Sequence, residues 1–281
     1  MSFDTFHSKS DRIYKISTSN GEGGGMETNA WPVAHKMKNE FPEVEAVVYS
    51  RSASSNLMVN YEGQRYEHEI FYSSEDFFQI FSFDMLEGKP ETALKDPFSI
   101  VITEDIKRKY FDEQVVLGKT MLLRDSIEFT ITGVIKDVPR QSHIQFEMLA
   151  SFSTYEKLAG WFSYSEGWGN FNVRNYLLLK DGADISNLAK KARGLYMDNV
   201  GDWLEEMGME FYVTLIPLDD IYLKSAFNNG FGPQGSMDRI YLVSAIALFI
   251  VILACINFIN LTTARSVYRA KEVGLRKVAG S

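Results

Sequence analysis

The sequence predicts an α+β outer domain followed by one transmembrane helix, on three observations. Residues Ile240 to Ala264 run for 25 positions without one Asp, Glu, Lys or Arg. The flanking charges are unequal, since Arg265, Arg269, Lys271, Arg276 and Lys277 follow the run against a single acid, Glu272. In the residues before it, a strand-helix-strand pattern occurs twice. A helix rises about 1.5 Å per residue, so roughly 20 apolar residues cross a hydrocarbon core of about 30 Å. Only Ser244, Asn257, Asn260, Thr262 and Thr263 interrupt the run, and no soluble-domain helix of that length needs to be apolar on every side. The positive-inside rule then puts the basic flank in the cytoplasm and residues 1–239 outside. Of 29 basic and 37 acidic residues, five and one follow Ala264; the outer part keeps 24 and 36, a net charge of about −12. That balance argues against nucleic acid and anionic lipid as its partners.

The single cysteine, Cys255, lies inside the apolar run, so the outer domain has no internal disulfide and relies on its core. Met1 to Asp11 is polar and lacks the apolar run of a signal peptide. The expectation is an earlier transmembrane helix outside this sequence, and a chain that stops at Ser281 within a cytoplasmic element, as a piece of a larger membrane protein.

Arg12 to Ser17 reads as a strand and Gly21 to Gly25 as a flexible loop, since no Lys-Ser or Lys-Thr follows to make it a phosphate cradle. Asn29 is positioned to cap a helix with Pro32 in its first turn, and Ala30, Val33, Ala34, Met37 and Phe41 recur at helical spacing until Pro42. Val44 to Ser50 and Asn56 to Tyr72 have strand composition, with Glu62-Gly63 as a turn. Thr103 caps a short helix with acids first and bases later, and Ile106, Tyr110 and Phe111 on its core face. Strands follow through Thr120 to Asp137, where Ile127, Phe129 and Ile131 alternate with Glu128, Thr130 and Thr132. Arg174 to Lys180 is a strand, Asp184 caps a helix with Ile185, Leu188, Ala189, Ala192, Leu195 and Tyr196 in one stripe, and Glu210 to Leu223 is extended. Two strand-helix-strand units combine as a split β-α-β, ferredoxin-like sheet with both helices on one face. The stretch from about Ser73 to Leu149 is then a mixed α/β subdomain inserted between them.

Motifs that resemble catalytic or ligand sites are incomplete. Leu117-Gly118-Lys119-Thr120 imitates the end of a nucleotide-binding loop, but Glu113 stands where its earlier glycine belongs. In Glu67-His68-Glu69 a strand turns His68 away from both carboxylates, and His7, His35 and His143 are scattered along the chain as solvated or structurally bonded histidines. No nucleophile elbow or metal motif occurs. Trp161, Phe162, Tyr164, Trp168 and Phe171 lie among Gly160, Gly167 and Gly169, where they either cover a sheet edge or offer a partner surface; packing is favoured because it buries five rings. In the membrane, Asn257 and Asn260 share a face and call for a neighbouring helix.

The run Phe77 to Gly88, then Ser99-Ile-Val-Ile-Thr103 with Lys109-Tyr-Phe111, Leu117-Gly-Lys119, and Gly133-Val-Ile-Lys-Asp-Val-Pro139 with Ser142-His143, resembles the MacB-like periplasmic core domain. Pro217 to Leu223 looks like that domain's closing strand, and Lys271 to Ser281 resembles the start of an FtsX-like permease domain. The resemblance implies an ABC transporter permease of the inner membrane, multi-pass with four helices, working with a separate or fused cytoplasmic ATPase that binds ATP and Mg; no cofactor belongs to this chain. It further implies a second permease copy, and a periplasmic adaptor or cargo. Residues 1–239 are then the periplasmic core domain, with a porter part at about 11–72 and 150–225 and the insertion at about 73–149; 240–264 is the membrane helix, and 265–281 begins the cytoplasmic coupling segment. Glu272, Gly274, Arg276, Lys277 and Gly280 match the segment that couples to the ATPase, while Trp161, Tyr164 and Trp168 would form the periplasmic partner loop. The implied mechanism is mechanical: ATP hydrolysis moves the helix as a rod and the outer domain changes shape, serving efflux of an antibiotic or peptide, lipoprotein handling, or control of a periplasmic partner. The competing class is a membrane-anchored sensor with an outer ligand-binding domain; such a chain continues as heptads, whereas this tail holds Gly274 and Gly280.

Overall fold

The computed structural model describes residues 3–21, 24–53, 57–111, 115–159, 164–224 and 235–280. The chain divides into two compact units, Met1–Gln234 and Gly235–Ser281. The first begins with β1 (Ile13–Ser19), β2 (Gly25–Met26), β3 (Asn29–Ala30), α1 (Pro32–Glu40), β4 (Val44–Ser52), β5 (Leu57–Tyr61), β6 (Gln64–His68), β7 (Ile70–Ser73) and α2 (Phe77–Ile80). It continues with β8 (Met85–Gly88), β9 (Ser99–Thr103), α3 (Glu104–Phe111), β10 (Thr120–Leu123), β11 (Ile127–Ile135), β12 (Met148–Ser151) and α4 (Phe152–Ala159). It closes with β13 (Phe171–Leu179), α5 (Ile185–Arg193), α6 (Leu195–Glu206), β14 (Tyr212–Pro217) and α7 (Leu218–Lys224). The second unit is one helix, α8 (Met237–Val278).

The strands make one mixed sheet in the order β14-β1-β13-β4-β7-β12-β9-β11-β10-β5-β6, with β2, β3 and β8 as side pairings. Each of its first four strands runs antiparallel to its neighbours among them. With β1, β4, β13 and β14 as the four strands of two β-α-β units, the spatial order four-one-three-two is the ferredoxin-like arrangement that the repeat predicts. Val33, Ala34 and Met37 of α1 and Leu188 and Ala192 of α5 pack with Ile16, Val47 and Leu177, so both helices cover one face. The opposite face is covered as well: Ile13, Ala46, Val48, Tyr176 and Leu178 meet Phe77, Phe81 and Phe83 in a second core. Beyond β4 the sheet continues through the parallel pairs β7–β12 and β9–β11, and β9 is buried along its whole length, as a doubly covered strand should be. The hairpin β5–β6 turns through Glu62 and Gly63, both at positive φ, and bonds to β10 at the far end of the sheet.

Local capping follows sequence in two places and departs from it in others. Asp184 Oδ1 accepts from the Asn187 N–H at 3.0 Å, and Thr103 Oγ1 from Ile106 N–H at 3.4 Å. The core face of α3 is Ile106, Tyr110 and Phe111, as its spacing predicts. Asn29 does not cap α1: it is buried in β3 and donates through Nδ2 to Ile16 O at 2.8 Å. The cap position belongs to Trp31, which makes no capping bond. Glu210 to Leu223 is not wholly extended, because β14 ends at Pro217 and the expected closing strand Pro217–Leu223 is mostly the helix α7, with Asp219 and Asp220 in its first turn. The single stripe expected from Ile185 to Tyr196 is divided between α5 and α6 at Gly194.

Candidate functional site

Helix α8 carries most of the residues singled out for function. Its 42 residues are long and apolar enough to cross a membrane. Ser236 Oγ caps it by accepting from Arg239 N–H, and Gly280, at φ +76, ends it. Thr262, Thr263 and Ser266 donate back to carbonyls one turn earlier, at 2.8 to 2.9 Å. Those hydroxyls are satisfied inside the helix, whereas Asn257 and Asn260 make no side-chain hydrogen bond among the described residues. Glu272 and Arg276 pair across one turn at 2.7 Å, and a Cβ on Gly274 would meet nothing within 4 Å. Lys277 sits in the last turn. The apolar run and the basic segment thus form one uninterrupted helix.

Of the aromatic loop, Trp161 and Phe162 lie outside the described residues, as does the side chain of Tyr164. Trp168 is half-buried and packs edge-on against Tyr196 with centroids 5.8 Å apart; Phe171 packs against Tyr196 and Phe211.

His68 points away from Glu67 and Glu69, as strand alternation predicts, and is buried between two groups the sequence did not connect to it. Its Nδ1 is 2.6 Å from Glu147 Oε2 and its Nε2 3.0 Å from Tyr110 OH. The His68 bond holds the Glu147 carboxyl below its usual range against the opposing effect of burial. No group of three or more His, Cys, Asp or Glu among the described residues is arranged to hold a metal. A cleft of about 850 Å³ is lined by Asn20, Arg193, Glu205, Glu210, Phe211 and Tyr212, among others, and in it Tyr212 OH donates to Glu210 Oε2 at 2.5 Å.

One buried polar cluster among the described residues is one that sequence reading passed over. His7 and His143, far apart in the chain, meet at Asp4, and all three are buried. Asp4 Oδ1 accepts from His143 N–H at 3.0 Å and from Ser142 Oγ at 3.3 Å; its Oδ2 lies 2.9 Å from His143 Nδ1, and His7 Nε2 stands 3.9 Å from Oδ1. Tyr176 OH lies 3.0 Å from His143 Nε2, and burial raises the phenol pKa well above its usual value, so Tyr176 keeps its proton. His7 Nδ1 accepts from Ser82 N–H at 3.0 Å, and burial lowers its pKa to about 4, opposed by the Asp4 charge. With Nδ1 accepting, neutral His7 carries its proton on Nε2, the nitrogen that faces Asp4.

Next to Tyr176 in the β1–β13 register stands Lys15, fully buried on the same face and paired with Glu27. Burial lowers the Lys15 pKa to about 8, and Glu27 opposes the shift. Around the cluster the N-terminal segment is stitched down by Asp4 N–H to Gln141 O at 2.8 Å, Ser8 N–H to Ser82 Oγ at 3.1 Å and Lys9 Nζ to Gln79 O at 2.9 Å. Phe3 stacks on Tyr222 of α7 with ring centroids 3.4 Å apart. The Ser142-His143 pair was visible as part of a motif, but nothing local pointed to Asp4.

The family model for the MacB-like periplasmic core domain matches residues 1–195. Solved structures share the fold, among them the following three. One is a domain assigned to a permease protein of Porphyromonas gingivalis, 24% identical over 75% of this chain and 92% of that one, with a TM-score of 0.61. The periplasmic region of MacB from Actinobacillus actinomycetemcomitans is 14% identical over 78% of this chain and 92% of its own, with a TM-score of 0.56. The extracellular domain of the noncanonic ABC-type transporter YknZ from Gram-positive bacteria is 14% identical over 73% and 99%, with a TM-score of 0.52. No curated protein matches.

Proposed function

The chain belongs to the MacB-like periplasmic core domain family, and on that premise we propose that it is a permease subunit of an ABC transporter, set in the inner membrane with its large domain in the periplasm. Its work in this reading is to carry a displacement, generated by ATP hydrolysis on a cytoplasmic partner, to the periplasmic domain. The observation that carries the reading is the continuity of α8. A helix of 42 residues spans roughly 60 Å at 1.5 Å per residue, and no break separates the apolar run from Glu272, Gly274 and Arg276. Such a rod passes an axial or tilting movement along its whole length, because bending it breaks successive backbone hydrogen bonds.

Arg276 and Lys277 offer a guanidinium and an ammonium to acidic groups on the ATPase, and Gly274 leaves room for close approach of its backbone. Asn257 and Asn260 turn their unused amides to other membrane helices, in the same subunit or a second copy, at about 0.6 to 2 kcal/mol for each bond. We divide the outer domain into a porter part, built on β14-β1-β13-β4, and an inserted part beyond β7. The cargo or output partner already lies outside the membrane, so nothing need pass through α8.

Two measurements test this reading. In a Cys255→Ala background, cysteines introduced at Ser8 and Ser266 should react with a membrane-impermeant maleimide from opposite sides; labelling from one side refutes the topology. Arg276→Glu should abolish co-purification with an ATPase while the outer domain stays folded, and undiminished recovery refutes the coupling assignment.

A further inference from the structure

We propose that Asp4 is a positioning residue, a clasp that makes the N-terminal segment Phe3–Arg12, the loop 139–146 and α7 move as one body with the central strand β13. The inference deepens the mechanical reading above and rests on it for its meaning, though not for its geometry.

Three observations support it. The Asp4 carboxylate is fully buried and, besides His7 Nε2 at 3.9 Å, takes its contacts from one short stretch, through Ser142 Oγ, the His143 backbone N–H and the His143 ring. The far side of that ring is bonded to Tyr176, whose residues on either side in β13 pair with both β1 and β4, so the chain of contacts ends in the middle of the porter sheet. One residue before Asp4, Phe3 stacks on Tyr222, while Leu218 and Ile221 of the same helix are buried in the core beneath. Helix α7 is the last described element before α8, with residues 225–234 between them. The beginning of the outer domain and its end are therefore joined through adjacent side chains, and the joint is tied to the sheet through one carboxylate.

A merely space-filling role would need no charge. A buried carboxylate is costly unless several donors converge on it, and once they do, losing it releases all of them at once. Without the Asp4 carboxylate, Ser142 Oγ and the His143 N–H lose that acceptor, and the N-terminal segment is held by the Asp4 N–H bond to Gln141 O, by its bonds to Gln79 and Ser82, and by Arg12 on Glu45 and Leu179 O.

The test uses the full chain in detergent micelles or nanodiscs and follows amide hydrogen exchange in Asp4→Asn and Ser142→Ala. Expected in Asp4→Asn is at least about a tenfold rise in exchange in residues 3–12, 139–146 and 218–224 together, with α1 and β13 still protected. Ser142→Ala should show the same pattern at smaller amplitude. Faster exchange confined to residues 3–5 overturns the clasp, because the three segments would then not be coupled. If Asp4→Asn loses protection everywhere, Ser142→Ala decides: a rise in the same three segments supports the clasp, and no change overturns it. Co-purification with an ATPase is scored separately, so a clasp that fails and a mechanical reading that fails give different results.

Discussion

Acidification should weaken the outer domain through His7. Its imidazole is 2% exposed, and its pKa falls from 6.5 to about 4, mainly because burial penalises the charged form. Asp4 pulls the other way, and His143 adds to the lowering. A base whose folded pKa is depressed contributes its full stability above the unfolded value of 6.5 and loses it as pH falls toward the folded value, because the unfolded imidazole takes up a proton that the folded one refuses. Each pKa unit corresponds to about 1.4 kcal/mol, so the complete loss is about 3 kcal/mol, of which about 2 kcal/mol is reached by pH 5. Other groups titrate over this range, so the quantity to measure is a difference of differences. Urea unfolding followed by tryptophan fluorescence, at pH 7.5 and pH 5, should show the wild type losing about 2 kcal/mol more than His7→Gln. Equal losses in the two proteins would refute burial of His7 as the source.

The Lys15–Glu27 pair should behave as a buried ion pair: Glu27→Leu removes the carboxylate facing the buried Lys15 and costs about 3 to 5 kcal/mol, while Lys15→Met/Glu27→Leu recovers most of it. Denaturant midpoints of the two variants check this, and a double variant no more stable than the single one would contradict it. Gly88→Ala should lower the melting temperature by about 5 °C or more, because a Cβ there meets Thr132 O at 2.4 Å with φ at +94. Gly118→Ala, at φ +81 but with nothing within 4 Å, should cost roughly half as much.

Much of the fold was legible because it rests on local periodicity. The stripe Val33, Ala34, Met37, the alternation through Phe129 and Ile131, and the Asp184 cap each declare an element within a few residues. The doubled strand-helix-strand then limits how the elements assemble. The misreadings have equally local causes. Asn29 resembles a cap but its amide is spent inside the sheet, on Ile16 O. After Pro217, the pair Asp219 and Asp220 was an available helix signal, outweighed by the apolar residues around it. Lys15 lies within the strand that the sequence predicts, and it is the covering of the second sheet face by Phe77, Phe81 and Phe83 that buries that side of β1.

The candidate sites divide in the same way. The apolar helix, its basic end and its two asparagines are properties of consecutive residues, and α8 displays them in the order in which they are written. The Asp4 cluster joins residues separated by most of the domain, through a sheet order that places β13 beside β1 and carries the loop 139–146 over the N-terminal segment. By itself, then, the sequence determined the helix that can span a membrane, its charge asymmetry and the two β-α-β units, because helix length, hydropathy and strand alternation are short-range physics. The tertiary structure alone decided which polar groups are buried and what they face, because burial is a property of what packs above a residue, and those partners come from distant parts of the chain.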